Sequence, residues 1–232
     1  MALLLPFGSA VPAPRHALEK EKVTEANDRL SAKQRAIVPI AAFAAAGDIP
    51  RLEAALEDGL DAGLPVGDAK EVLVQVYAYA GFPRSLNALG ALMRVLDARR
   101  QRGIEDAPGR EPAESIPTGE ALLAAGTANQ TRLSGAPVSG AVFEFAPAID
   151  QYLKTHLFGD IFERDNMDWQ CREIATVAML SNMTDTEAQL VAHMRISMNV
   201  GLTRAQLRDL ADVLGEQVSD PAATRAREAL QP

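Results

Sequence analysis

The sequence contains a single cysteine, Cys171, and aromatic residues make up only 5% of the chain. One cysteine excludes an intrachain disulfide, a CxxC redox pair and a cysteine-rich zinc site. No HxxxH, HExxH or carboxylate cluster is present, so no metal site is predicted. Few aromatics together with abundant Ala, Leu, Glu and Arg favour helices over sheets. No apolar run approaches the ~20 residues of a membrane-spanning helix, so no membrane partner is expected.

Basic residues are also scarce, because 23 Lys and Arg stand against 31 Asp and Glu, which gives a net charge of −8. Phosphate binding needs clustered cations, so this charge argues against a nucleic-acid partner. The first residues are apolar and contain prolines, but they lack the basic start of a signal peptide. We therefore expect a cytoplasmic protein. A truncated export signal would place it in the periplasm instead.

The chain contains an internal repeat. Arg35 returns as Arg172, 137 positions later, and after a one-residue gap Glu71 returns as Asp209, 138 positions later. Such self-similarity indicates one duplicated building block. We divide the chain into an N-terminal arm and helix (1–30), a first repeat (31–102), a connector with one short helix (103–140) and a second repeat (141–232).

Helical signals dominate both repeats and predict an all-α fold. Ser31 with Gln34 forms a reciprocal capping pair at the start of an apolar helix. Thr184 with Glu187 has the same spacing before the second helix of the second repeat, and Asp168 precedes the first. No segment alternates as a half-buried strand does.

The two repeats differ at positions that carry chemistry. Glu173 and His193 of the second repeat stand where the first has Ala36 and Ala55. An imidazole oriented by a carboxylate suits proton transfer near neutral pH. A helical hairpin with its turn near 183–185 would place the two side chains at similar heights, about 17 and 14 Å from the turn at ~1.5 Å per residue. The alternatives are a hydrogen-bonded core histidine and a glutamate paired with a nearby arginine.

Two arginines are candidates for binding a substrate carboxylate. A guanidinium can donate two parallel hydrogen bonds to such a group, which makes Arg172 and Arg195 candidates. Arg172 recurs as Arg35 in the repeat that lacks Glu and His, so a structural ion pair is its alternative role. The alternative role of Arg195 is a solvated charge or a charge at an interface.

Three stretches give the chain a resemblance to a known family. They are YAYAGFPRSLNALGAL (77–92), REIATVAML (172–180) and HMRISMNVGLTRAQLRDL (193–210). In this order they resemble the helix–GxP–helix, "RE-leu-ala-thr" and "H-x-x-x-x-x-N-x-G-L-T" segments of the carboxymuconolactone decarboxylase family. This family shares its fold with the AhpD alkylhydroperoxidases. The resemblance implies a tandem fusion of two AhpD-like modules.

The resemblance also implies a function and a site. The peroxidase branch uses a CxxC pair, which this chain lacks, whereas the decarboxylase branch acts on a carboxylated lactone without metal or organic cofactor. The implied catalytic residues are Glu173 and His193, and Phe82 and Asn199 join the two arginines as candidates for substrate binding. The resemblance also implies an assembly, because relatives with one module form rings of six. A chain with two modules is therefore expected to form a homotrimer whose six modules have a pseudo-sixfold arrangement. A catalytically silent binding module is the remaining alternative.

Overall fold

The computed structural model describes residues 28–113 and 115–231, so most of the predicted N-terminal arm and helix lies outside the described residues. Within that part the chain is helical and has no strands, and the predicted all-α fold is confirmed. None of these helices is both long and apolar enough to cross a bilayer. The helices are α1 (Ala32–Ala46), α2 (Ile49–Asp61), α3 (Val66–Ala80), α4 (Phe82–Gln101), α5 (Glu120–Ser134), α6 (Ala141–Phe145), α7 (Pro147–Tyr152), α8 (Trp169–Ser181), α9 (Glu187–Asn199), α10 (Arg204–Val213) and α11 (Asp220–Ala229). Two π-helical segments extend α7 and α10, over Leu153–Ile161 and Leu214–Val218.

Local signals set where most of these helices begin. At α1 the Ser31 hydroxyl accepts from the Gln34 backbone N–H at 3.3 Å, and the Gln34 side chain accepts from the Ser31 N–H at 3.0 Å. At α8 the Asp168 carboxylate accepts from the Cys171 N–H at 2.7 Å. Each cap satisfies backbone donors that the first helical turn leaves without partners, and both predictions are confirmed.

The predicted cap of α9 is wrong. The helix begins at Glu187 after Thr186, not after Thr184, because Asp185 adopts a left-handed conformation with φ of 62°. The Thr186 hydroxyl donates to the Leu180 carbonyl across the turn, at 3.1 Å, and does not cap its own helix. The turn itself lies where the hairpin was expected.

The two repeats share one core. Their equivalent helices α1 and α8 pack against each other at its centre, and each is buried along most of its length. A single cluster of buried apolar side chains joins residues of the first repeat to residues of the second. The repeats therefore do not fold into separate hydrophobic cores.

A reciprocal pair of salt bridges ties the repeats together. Arg35 of the first repeat is bonded to Asp209 of the second, and Arg172 of the second is bonded to Glu71 of the first. The two arginines occupy equivalent repeat positions, and so do the two acids. This exchange is what a two-fold relation between the repeats requires, since each contact occurs twice with its partners interchanged. The recurrence of the arginine in both repeats is thus structural.

The connector builds a second, smaller cluster on one side of this core. Helix α5 packs along the π-helical segment that follows α7, with Leu133, Leu157 and Phe158 buried between them. Gly126 permits this close approach, because a Cβ there would lie 1.8 Å from the Lys154 carbonyl oxygen. The cluster also includes Ile196 of α9, so it forms a wall beside the helix that carries His193.

Candidate functional site

Glu173 and His193 meet at the base of the α8–α9 hairpin. Glu173 Oε2 lies 2.8 Å from His193 Nδ1. The glutamate is fully buried and the histidine is 8% exposed. The predicted meeting of the two side chains is confirmed as geometry, and their role in a reaction stays a prediction.

This contact determines which histidine nitrogen is free. An ionised carboxylate can only accept hydrogen bonds, so with Glu173 ionised His193 Nδ1 carries a hydrogen. The other ring nitrogen, Nε2, then remains for a bound molecule. Glu173 Oε1 is buried and has no hydrogen-bond partner among the described residues. Among the described residues, the His193 imidazole is therefore the one polar group that forms a hydrogen bond with the Glu173 carboxylate.

His193 lines a cavity of about 690 Å³. Helices α3, α5, α8 and α9 and the segment from α6 to the π-helix form its walls. Most lining side chains are apolar, among them Val138, Val142, Phe143, Ile149, Leu153, Leu157, Phe158, Leu180 and Ile196. The polar ones are Tyr79, Gln130, Ser134, Thr186, Gln189, His193 and Arg195. A mostly apolar cavity with a few convergent polar groups is the usual form of a small-molecule site.

Tyr79 of the first repeat also lines this cavity, although its sequence position favours a role in the core or an interface. Its ring stands edge-on to His193 with centroids 5.8 Å apart, and its hydroxyl is bonded to Thr176 at 3.1 Å. Gln75 donates to the same threonine hydroxyl at 2.8 Å. Burial, and then the charge of Glu173, raise the pKa of Tyr79, so the phenol stays protonated. The second repeat's site thus has a wall from the first.

Of the two candidate arginines, only Arg195 reaches the cavity. It lies two residues after His193, is exposed, and forms no salt bridge with the described residues. Arg172 is fully buried and donates to Glu71 at 3.0 Å and to the Arg164 carbonyl at 3.1 Å. Its predicted role in substrate binding is therefore corrected, because the guanidinium serves the ion pair between the repeats.

Phe82 and Asn199 also lie outside the cavity lining. Phe82 is 63% exposed and stacks on Tyr77, with ring centroids 4.6 Å apart. Asn199 donates to the Leu133 carbonyl at 2.9 Å and so fastens the end of α9 to α5. One is a surface ring and the other a tether between helices, and their roles in substrate binding stay predictions.

Cys171 is poorly suited to thiol chemistry. Burial raises the pKa of this thiol, and the neighbouring Asp168 raises it further. The thiolate is the reactive form of cysteine, so a raised pKa suppresses nucleophilic attack. Cys171 is also not among the residues that line the cavity with His193.

The first repeat has a cleft at the equivalent place. This cleft, of about 490 Å³, is lined by Ala36 and Ala55, the positions that hold Glu173 and His193 in the second repeat. Four further lining positions also correspond by the repeat spacing, and Phe43, Arg51, Ala54 and Asp58 match Leu180, Gln189, Ala192 and Ile196. Both repeats therefore form the cleft, and only the second supplies it with an acid–base pair.

Across the described ranges, no group of three or more His, Cys, Asp or Glu side chains is placed to hold a metal ion.

Comparison with known proteins agrees with the arrangement of two repeats. No curated protein matches the chain significantly. The model of the carboxymuconolactone decarboxylase family matches it twice, at residues 14–93 and 147–232. The chain therefore belongs to the carboxymuconolactone decarboxylase family and contains two tandem AhpD-like modules.

Proposed function

We propose that the second module is a cofactor-free site for proton transfer, and that it decarboxylates a small carboxylated lactone. The buried hydrogen bond of 2.8 Å between Glu173 and His193, at the wall of an apolar cavity, is the observation that carries the proposal. A positioned acid or base of this kind contributes about 10²- to 10⁴-fold to a rate.

The reaction can be written with these groups alone. The bond between the ring carbon and the carboxylate breaks, CO₂ leaves, and the electron pair moves into the conjugated carbonyl system of the lactone. His193 in its protonated form then donates a proton from Nε2 to carbon, and solvent returns a proton to the imidazole. The carboxylate of Glu173 stabilises the imidazolium and keeps the ring in one orientation.

The cavity supports this reaction in two further ways. Its apolar walls offer few hydrogen-bond partners to water near the carbanion-like intermediate, and a less polar surrounding strengthens electrostatic interactions within the site. Arg195 is available to hold the substrate carbonyl or a second anionic group, because no acid of the described residues neutralises it by a salt bridge. The thiol branch of the family chemistry is disfavoured by the raised pKa of Cys171.

The test is loss of the ultraviolet absorbance of γ-carboxymuconolactone with the purified full chain. His193→Ala is expected to lower kcat by about 10²- to 10⁴-fold. Cys171→Ser is the matched control, because that residue lies in the same helix as Glu173 but outside the cavity lining. Full activity of His193→Ala, or activity that disappears with Cys171→Ser, would contradict the proposal.

A catalytically silent module is the second candidate. Its support is the first repeat, which keeps the cleft although Ala36 and Ala55 have replaced the acid–base pair. A module of this fold thus survives without catalytic groups. If the wild-type chain turns over neither γ-carboxymuconolactone nor related unsaturated lactones, this second function is favoured.

We also propose that the chain forms a homotrimer with pseudo-sixfold symmetry of its modules. Helix α4 exposes Phe82, Leu86 and Met93, each more than 60% accessible and spaced to lie on one helical face. A row of large apolar side chains on a surface is typical of a contact between proteins. Closed symmetry is the common outcome when such a face meets another copy.

A further inference from the structure

We infer that the first module completes the acid–base site of the second, and that Tyr79 is the residue that positions the His193 imidazole. Tyr79 acts together with Gln75 of the same helix and with Thr176 of α8. The inference rests on the proposed function for its kinetic readout, whereas the contacts themselves do not depend on the reaction. It goes beyond that function because it assigns residues of the first repeat to a site whose acid and base both belong to the second.

The ring of Tyr79 contacts the imidazole directly. The two rings stand edge to face, with centroids 5.8 Å apart and planes at 76°. Such aromatic pairs are favourable beyond the area that they bury. Glu173 already holds the imidazole at Nδ1, so the ring of Tyr79 adds a second contact that limits its rotation. An imidazole held at two places keeps Nε2 aimed in one direction, which proton transfer to a bound molecule requires.

The hydroxyl of Tyr79 fastens that ring to α8. It is bonded at 3.1 Å to the hydroxyl of Thr176, three residues after Glu173 in the sequence. Gln75, one turn earlier in α3, donates to the same threonine hydroxyl at 2.8 Å and to the Arg172 carbonyl at 2.9 Å. Gln75 and Thr176 are fully buried, so water does not compete for these bonds. The carboxylate and the ring that contact the imidazole are therefore tied to the same turn of α8.

The cleft of the first repeat provides a comparison within the same chain, since it lies at the equivalent place without an acid–base pair. The three supporting residues are replaced there as well, because by the repeat spacing Tyr79 corresponds to Gln217, Thr176 to Pro39 and Gln75 to Val213. Gln217 and Pro39 line that cleft, so each cleft receives a wall residue from the other repeat. The buried polar support occurs only where the acid and the base occur, which indicates that it serves the site and not the fold.

Two substitutions of Tyr79 separate the ring from the hydroxyl. Tyr79→Leu keeps an apolar wall but removes the ring beside the imidazole, so kcat for γ-carboxymuconolactone should fall about tenfold while KM stays nearly constant. Tyr79→Phe keeps the ring and should retain most of the turnover, because the Thr176 hydroxyl still accepts from Gln75. Gln217→Leu is the matched control, since it changes the equivalent position of the first cleft and should leave kcat unchanged.

The motion of the imidazole can be measured without turnover. In the full chain with ¹⁵N-labelled histidines, NMR reports how fast the Nδ1 hydrogen of His193 exchanges with water. The His193→Ala variant identifies that signal among the three histidines. Because the ring of Tyr79 limits the rotation of the imidazole, exchange should be about tenfold faster in Tyr79→Leu and unchanged in Tyr79→Phe.

The outcomes separate this inference from the proposed function. If His193→Ala leaves turnover unchanged, or the chain turns over no lactone, the proposed function fails and the exchange measurement alone decides the inference. If turnover requires His193 but Tyr79→Leu changes neither kcat nor exchange, the proposed function stands and the inference is overturned. Equal losses of kcat in Tyr79→Leu and Tyr79→Phe would also overturn it, because phenylalanine keeps the ring.

Discussion

Replacing Glu71 with glutamine should destabilise the protein by about 3 kcal/mol at neutral pH. The carboxylate is 3% exposed and accepts hydrogen bonds from Arg164, Asn166 and Arg172. Burial alone would raise the pKa of Glu71, but these three donors outweigh it and lower the pKa from 4.5 to about 2. At about 1.4 kcal/mol per pH unit, this difference is worth about 3 kcal/mol, close to the cost of breaking a buried ion pair.

The contribution of Glu71 to the free energy of unfolding should also depend on pH, which provides a second, independent test. A carboxyl whose folded pKa is lowered stabilises the protein above its unfolded pKa, and this contribution is lost as the pH falls towards the folded pKa. For Glu71 that window runs from about pH 4.5 down to about pH 2. By pH 3 the wild type should have lost about 2 kcal/mol through this group, so the gap to Glu71→Gln should shrink to about 1 kcal/mol.

Urea unfolding followed by circular dichroism at pH 7 and pH 3 measures both quantities. Asp209→Asn is the matched control, because Asp209 is the repeat equivalent of Glu71 and its partner Arg35 is 28% exposed. A pair open to solvent contributes less, so the control should cost less than Glu71→Gln. An unfolding free energy of Glu71→Gln within about 1 kcal/mol of the wild type at pH 7, or a difference between the two proteins that is the same at pH 7 and pH 3, would contradict the role of the buried ion pair.

Three further predictions follow from the site and the surface. Cys171 should react with an alkylating agent far more slowly in the folded chain than in urea, because burial and Asp168 raise its pKa; equal rates would contradict this. Adding Ala36→Glu and Ala55→His to the His193→Ala variant should restore no turnover, because Arg51 and Asp58 make the first cleft polar; recovered activity would show that this polarity does not prevent the reaction. Light scattering should give a mass of three 24.8 kDa chains, and Leu86→Glu should reduce it; a monomeric wild type would rule out the trimer.

Local sequence signals account for much of the fold and for the central contact of the site. The caps at Ser31 and Asp168 need only neighbouring residues, so spacing alone predicts them. Glu173 and His193 flank one short turn, so helix geometry brings them to similar heights. Comparison of the two repeats shows in addition that only the second module carries Glu173 and His193.

Positions that depend on distant packing were not predictable in the same way. The local sequence around Arg172 would be the same whether its side chain bound a substrate or Glu71. Glu71 lies 101 residues away in the sequence, so local spacing does not reveal this contact. Phe82 belongs to a family-like segment, but its ring lies on the surface against Tyr77. The connector forms a wall of the cavity only because Gly126, which has no Cβ, leaves room for the Lys154 carbonyl oxygen. No local sequence pattern predicts that contact.

The turnover of Glu173→Gln on γ-carboxymuconolactone tests the Glu173–His193 pair most directly. Glutamine keeps the size of the side chain and an oxygen that can accept from His193 Nδ1, but it removes the charge that stabilises an imidazolium. The proton-transfer pair predicts that kcat falls by about 10²-fold or more while the fold is retained. A kcat equal to that of the wild type would contradict the role assigned to the Glu173–His193 pair.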